Sequence, residues 1–345
     1  MFSKNRPRIL CALAMASALA LLAQPANAAY HLVKEIMIPG TEGWDYLAVD
    51  SKDNRLFVSH GTHVEVVDSS TLAVVGSIAN TPGVHGIAIA ADLGRGYISA
   101  GAAGSVVVFD LKSLERLAEI KTTGDNPDAI LYEPKSHRVF TFNGRGRNIT
   151  AIDARTNQVV GTIALDAKPE FAVFDARGHV FVNLEDKNSI AQFDPQTLKV
   201  ESTWAVTGCE EPSGLAIDRE HARLFAVCNN KVMGIVDAKS GHVVALVPIG
   251  GGVDAAGFDD SRQLAFASGG DGTLTVVKEE SPDKFSVQET VATKAGARTM
   301  TVDERSHRVF LSAGQRGPAP APTPAEPRPR PAIVAGTFEV LVLEP

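Results

Sequence analysis

A rhythm of short apolar runs recurs seven times between residues 43 and 345, at intervals of about forty residues. Each repeat opens on a run that closes at one alignment position: "YLAVD" at Asp50, "GIAIA" at Ala90, "AILYE" at Glu133, "FAVFD" at Asp175, "GLAID" at Asp218, "AAGFD" at Asp259 and "TMTVD" at Asp303. A second run follows ("RLFVSH", "RVFTFN", "RLFAVC"), then a third ("VEVVD", "ITAID", "MGIVD"), a polar turn such as "DSSTL" or "DARTNQ", and a fourth run such as "VVGSIA". Four β-branched runs separated by Asp, Gly, Ser and Asn turns predict a four-stranded antiparallel unit. One such unit buries too little alone, whereas seven packed radially cover one another's faces. The repeat therefore predicts an all-β fold, a seven-bladed β-propeller.

The seventh repeat supplies three strands and stops at Pro345. The missing fourth is available near the other end of the chain, where "HLVKEIMIPG" at 31–40 has the phase of a fourth strand. Ring closure by an N-terminal strand completing the last blade is expected, because it removes an open sheet edge. Ahead of that strand, Lys4, Arg6 and Arg8 precede an apolar stretch from Ile9 to Ala23, and Ala26-Asn27-Ala28 has the small residues of a cleavage site. Residues 1–28 read as a secretory signal, leaving 29–345 as a single propeller domain, periplasmic or secreted. The signal's apolar stretch is short for a bilayer span and nothing after it is long enough, so the mature chain is expected to be free of transmembrane segments; a monomer is expected. Removing the signal takes the formal charge from −7 to −10, which disfavours a nucleic-acid partner held by phosphate contacts.

The second strand and turn "RVFTFNG" (138–144), "DARTNQVVGTI" (153–163) and "DSSTLAVVGSI" (68–78) resemble the YVTN-repeat, or YncE-like, exported propeller family across nearly the whole mature chain. The resemblance implies the fold, and kinship with seven-bladed lactonases and with propeller domains of cupredoxin-containing reductases. The matching residues are strand and turn formers, so the likeness itself assigns no chemistry.

Function is read where the repeats differ. Five residues before each alignment position stand Asp45, His85, Asp128, Glu170, Ser213, Asp254 and Arg298. These places should ring one mouth of the central channel, joined by loops between second and third strands that carry His60, His63 and Glu185. Turn chemistry favours Asp and Ser but has no use for His, Glu and Arg together. Asp45, His60, His85, Asp128, Glu170, Glu185, Asp254 and Arg298 are the expected ligand-binding set. Clustered carboxylates repel unless a cation, a shared proton or Arg298 compensates them. His60, His63 and His85 with Asp45 are candidate ligands for a divalent metal ion, the one cofactor these side chains suggest. The opposite face has near-identical turns holding His137, His221 and His307.

Cys209 and Cys228 flank the first strand of the fifth repeat, and in an oxidising compartment they are expected to form a disulfide. The last repeat carries an insertion, 317–331, with seven prolines from Pro318 to Pro331. It favours polyproline II and should project on the same face as the mixed ring, and three readings stay open: a solvated, disordered loop, a partial cover for the site, or an arm offering Arg328 and Arg330 to a partner. Two function classes fit. One is an exported binding or scaffold protein holding a small molecule, metal ion or protein partner at the channel mouth. The other is a lactonase-like hydrolase with Glu170 or His85 as general base and Arg298 stabilising an oxyanion.

Overall fold

The computed structural model describes residues 1–2, 29–323 and 331–345. The body of the expected signal and residues 324–330 of the insertion, with Arg328 and Arg330, lie outside the described residues. Among the described residues the strands fall into seven four-stranded antiparallel sheets, each built from consecutive strands except the last. The architecture is a seven-bladed β-propeller. Blade 1 comprises Leu47–Asp50, Arg55–His60, His63–Asp68 and Val74–Ile78; blades 2 to 6 follow in chain order, opening on Val84–Ala90, Pro127–Glu133, Pro169–Phe174, Pro212–Asp218 and Val253–Asp259, and blade 7 opens on Thr299–Asp303. No helix among the described residues is long and apolar enough to cross a membrane.

The repeat pattern has a direct physical origin in this arrangement. Second strands are covered by neighbouring blades on both faces, so Leu56, Phe57 and Val58, or Leu224, Phe225 and Ala226, are buried in succession and the run is continuously apolar. Fourth strands lie outermost, which leaves Val74, Val75, Val159 and Val160 exposed. In five blades the third strand closes on an aspartate that serves its own turn. Asp68 Oδ1 accepts from the backbone N–H of Ser70 (2.9 Å) and Thr71 (2.7 Å), and Asp153 Oδ1 likewise from Arg155 and Thr156 (both 2.9 Å). The Asp-x-x-Thr element is thus a turn clasp.

The ring closes through the chain's N-terminal region. His31–Met37 pairs antiparallel with Glu339–Glu344, completing the blade formed by Thr299–Asp303 and Arg308–Ala313. Ile36 and Ile38 pack with Phe310, Phe338 and Val340, and the Tyr30 hydroxyl donates to the His307 carbonyl at 3.0 Å. Lys294 binds Glu35 (2.9 Å) and Glu339 (2.7 Å), tying the two paired strands together. In blade 5, Cys209 and Cys228 are disulfide-bonded with Cα atoms 5.4 Å apart. Closing so short a loop contributes roughly 3 kcal/mol in the chain-entropy account.

This seam generates a prediction. Ile38 is fully buried, so Ile38→Ala should cost about 2–5 kcal/mol in a denaturant titration. Removing residues 29–38 should leave the Glu339–Glu344 edge unpaired and yield an aggregating chain in size-exclusion chromatography.

Candidate functional site

Each innermost strand begins at the channel mouth, so the residues at its start converge on the axis. Three basic side chains, an imidazole, an ammonium and a guanidinium, divide the carboxylates there. His85 Nδ1 lies 2.6 Å from Asp45 Oδ2 and 3.5 Å from Asp128 Oδ1. An ionised carboxylate can only accept, which assigns the Nδ1 proton to His85. Lys168 Nζ forms ion pairs with both Glu170 and Glu185. Arg298 Nε lies 3.2 Å from Asp254 Oδ2. Ser213 donates to the Val253 carbonyl at 3.2 Å, a purely structural bond to the next blade.

Tyr46 organises this ring from below. It reaches from blade 1 across the axis to blade 4, its ring centroid 5.2 Å from that of Phe171, and it is buried. Burial raises its pKa well above the ordinary phenol value, and the carboxylates of Asp254, Glu170, Asp128 and Asp45 raise it further. The hydroxyl therefore stays protonated among four acidic groups. Beyond Tyr46 and Phe171 the channel changes character: its other end is an apolar funnel of about 200 Å³ lined by Leu47, Val173, Leu215 and Val302, with Arg219 and Glu304 also in its wall.

Low dielectric at the mouth displaces three of its acids, Asp128, Glu170 and Asp254, from their ordinary range. Burial, then the charge of Asp128, pushes the Glu170 carboxyl up to about 8, with Lys168 opposing. Burial pushes Asp254 up to about 7 against the pull of Arg298, and it raises Asp128 against the pull of His85. Burial works against the Lys168 ammonium too, but Glu170 and Glu185 override it and hold its pKa above the usual lysine value. The two directions at the Lys168–Glu170 contact are reconciled by the second carboxylate: Lys168 stays a cation beside Glu185, and the more buried Glu170 takes up a proton.

A cavity of about 300 Å³ opens at this mouth between blades 7, 1 and 2. Asp45, His85 and Arg298 reach it from the ring, and Trp44 forms one wall. The opposite wall is the root of the proline-rich insertion, contributing Arg316, Pro331 and Ile333. That root is fixed by an antiparallel bridge between Arg316 and Ile333, with Gly317 N–H donating to the Ala332 carbonyl at 2.8 Å and Val334 N–H to Gln315 at 2.9 Å. Ile333 is anchored in the apolar cluster holding Trp44 and Phe338. Trp44 stacks on Phe338 at 5.3 Å, and the Arg316 guanidinium sits 5.1 Å over the Trp44 ring, a cation–π contact. Gly314 permits this seat, since a Cβ there would come within 2.7 Å of the indole.

Of the eight residues expected to bind a ligand, Asp45, His85 and Arg298 line the cavity. Asp128 and Asp254 are joined to it by ion pairs with His85 and Arg298, whereas Glu170 and Glu185 pair with Lys168 and reach it only through the charge coupling of Glu170 to Asp128. His60 does not line it. His60 is completely buried in the blade 1 hairpin, stacked on Phe338 at 4.6 Å with Nδ1 3.3 Å from His63 Nε2. Burial, then His63, lowers its pKa and keeps it neutral. The four expected metal candidates thus separate into two groups, Asp45 and His85 with Asp128, and His60 and His63 with Glu65. Lys168, Tyr46, Trp44 and Arg316 complete the site and were not in the expected set. Lys168 precedes Glu170 by two residues, a spacing that placed it on the same strand face. On the opposite face the histidines are carboxylate partners of the turns, His221 Nδ1 at 2.6 Å from Asp218 and His307 Nδ1 at 2.7 Å from Asp259.

No protein-family model matches the chain, and no curated protein matches it in sequence. Among solved structures it is similar to a chain of Kuenenia stuttgartiensis hydrazine synthase, at 16% identity and a TM-score of 0.70, covering 79% of this chain and 92% of that one. It is also similar to U3-55K, at 8% identity and a TM-score of 0.75, covering 89% and 97%. At such identities the likeness establishes the propeller fold alone.

The raised carboxyl values fix a pH dependence. The folded chain retains protons on Glu170 and Asp254 that the unfolded chain releases at ordinary values of 4.5 and 3.8. Their stabilising contribution is complete below those values and is lost as pH rises through about 7 and 8. The melting temperature should fall between pH 6 and pH 9 on the scale of these titrations. Glu170→Gln should remove on the order of 2 kcal/mol of that loss, read from melts across the pH series.

Proposed function

We propose that this chain is an exported binding propeller of the YVTN-repeat type, and that its channel mouth holds a small anionic molecule. The observation that carries the reading is the cavity in which Arg298 and Arg316 face Asp45 and His85 beside the Trp44 ring. Two guanidinium groups from different structural elements favour a carboxylate or a similar anion, because their donor forks match planar oxyanions. Asp45 and His85 add hydrogen-bonding groups for hydroxyls elsewhere on the ligand, and the indole gives an apolar or sugar-like face a surface to stack on. The carboxylates farther round the ring are compensated by Lys168, Arg298 and the protons held by Glu170 and Asp254, so a bound cation is not needed to neutralise them. A scaffold role fits the same geometry, with an acidic segment of a protein partner entering the mouth.

A lactonase-like hydrolase is the second reading, favoured by one observation. Glu170 is pushed up to about 8, so at neutral pH it carries a proton that a general acid can deliver, with Arg298 as the oxyanion partner.

Small carboxylates, sugar acids and lactones screened by thermal shift and calorimetry test both readings. A binding protein should be stabilised by an anionic member of the panel, and Arg298→Ala should weaken that binding by about 10–100-fold while preserving the melt. Unchanged affinity in Arg298→Ala would move the site elsewhere. Turnover of a lactone that Glu170→Gln abolishes would establish the hydrolase instead.

A further inference from the structure

The hairpin of blade 1 gathers metal-ligating atoms that the mouth does not use. His60 closes Arg55–His60 and His63 opens His63–Asp68; the two are direct cross-strand partners over the Gly61-Thr62 turn. Strand alternation puts Glu65 on the face of His63, two residues on. His60 Nδ1 lies 3.3 Å from His63 Nε2, and His63 Nε2 lies 3.1 Å from Glu65 Oε1. One ligand atom from each of the three residues lies within 4.8 Å of the other two. A tetrahedral Zn²⁺ with bonds of about 2.0–2.1 Å spaces its ligand atoms about 3.3 Å apart, close to both of these separations.

Hydrogen bonding alone accounts for this convergence poorly. His63 Nε2 carries at most one hydrogen and faces two partners, so a proton directed at Glu65 leaves His60 Nδ1 with a bent, shared contact. The surroundings instead hold the donors in place. His60 is locked against Phe338, and Gly40, at φ 136°, leaves the ring its space, since a Cβ there would come 2.3 Å from His60 Cε1. The other His60 nitrogen, Nε2, is buried without a hydrogen bond and has the Glu42 carboxylate 3.7 Å away. A carboxylate behind a histidine is the outer support typical of metal centres. On the outer side, His63 also borders a cleft of about 590 Å³ between blades 1 and 2, shared with Thr62, Ser105 and Arg116.

We propose that His60, His63 and Glu65 form a three-ligand site for a divalent transition ion, Zn²⁺ by its geometry, with the fourth position open to water or to an anion in the cleft. Two imidazoles and one carboxylate give the ion a single protein charge, a set that suits Zn²⁺ better than the oxygen-seeking Ca²⁺ or Mg²⁺. This site is made of different residues from the channel mouth and stands whether or not the mouth binds anions.

The test uses the full chain, stripped with a chelator and titrated with Zn²⁺ and with Co²⁺ as an optical probe. One ion per chain is expected, with the visible absorption of four-coordinate Co²⁺. His63→Ala and Glu65→Gln, both at partly exposed positions, should keep the wild-type circular dichroism and melt of the stripped protein while losing at least about tenfold in affinity. His85→Ala should retain the bound ion. Absence of Zn²⁺ and Co²⁺ binding by the wild-type chain would overturn the proposal, as would binding that survives His63→Ala or that disappears in His85→Ala.

Discussion

The pairing of His31–Met37 with Glu339–Glu344 is the contact on which the rest of the molecule depends. A propeller is a stack of sheets bent into a circle, and each blade is covered only because its neighbours are present. Without the seam, the apolar faces meeting at Ile38, Trp44 and Phe338 would open to water, and the seven innermost strands would no longer share an axis. Closure turns positions far apart in the chain into neighbours. Arg298 and Asp45 line one cavity only because the last blade abuts the first.

Convergence carries an electrostatic cost, and the mouth shows how it is met. Asp45, Asp128, Glu170 and Asp254 surround a buried tyrosine in a region where water screens weakly. His85, Lys168 and Arg298 each stand against one or two of these acids. Protonation of the most buried carboxyls supplies the remainder. A site balanced in this way is poised to exchange protons or to reorganise its pairs when a charged molecule enters, which a ring of identical turn aspartates would not do. The aspartates that do repeat, such as Asp68 and Asp153, each turn Oδ1 to the backbone N–H groups of their own turn.

The division between what was legible in the sequence and what was not follows the range of the forces involved. Strand periodicity, the Asp-x-x-Thr turns and the missing fourth strand are local or bookkeeping features, and they translate directly into the seven sheets and their closure. The ring positions were also readable, because a constant offset of five residues from the alignment position is a matter of register. Pairing among those positions was not readable. Lys168 lies two residues out of the ring phase and joins Glu170 to Glu185 only by the length of its side chain. Tyr46 reads as the first residue of an apolar run, and its role as the floor of the mouth depends on the width of the channel. Arg316 and Ile333 sit at the edges of a proline-rich stretch whose composition concealed a rooted wall. His60 reads like any loop histidine beside His63, and its burial comes from Phe338, far away in sequence.

The central claim is that the mouth acts as one coupled unit around Tyr46. Carbon-13 NMR of side-chain carboxyls, assigned by single substitutions and followed across pH, tests it most directly. Glu170 and Asp254 should titrate near 8 and 7, and removing Asp128, whose charge raises both, should shift both downward. Independent titration of every mouth carboxyl in the ordinary range near 4, unmoved by substitution of its neighbours, would contradict the account.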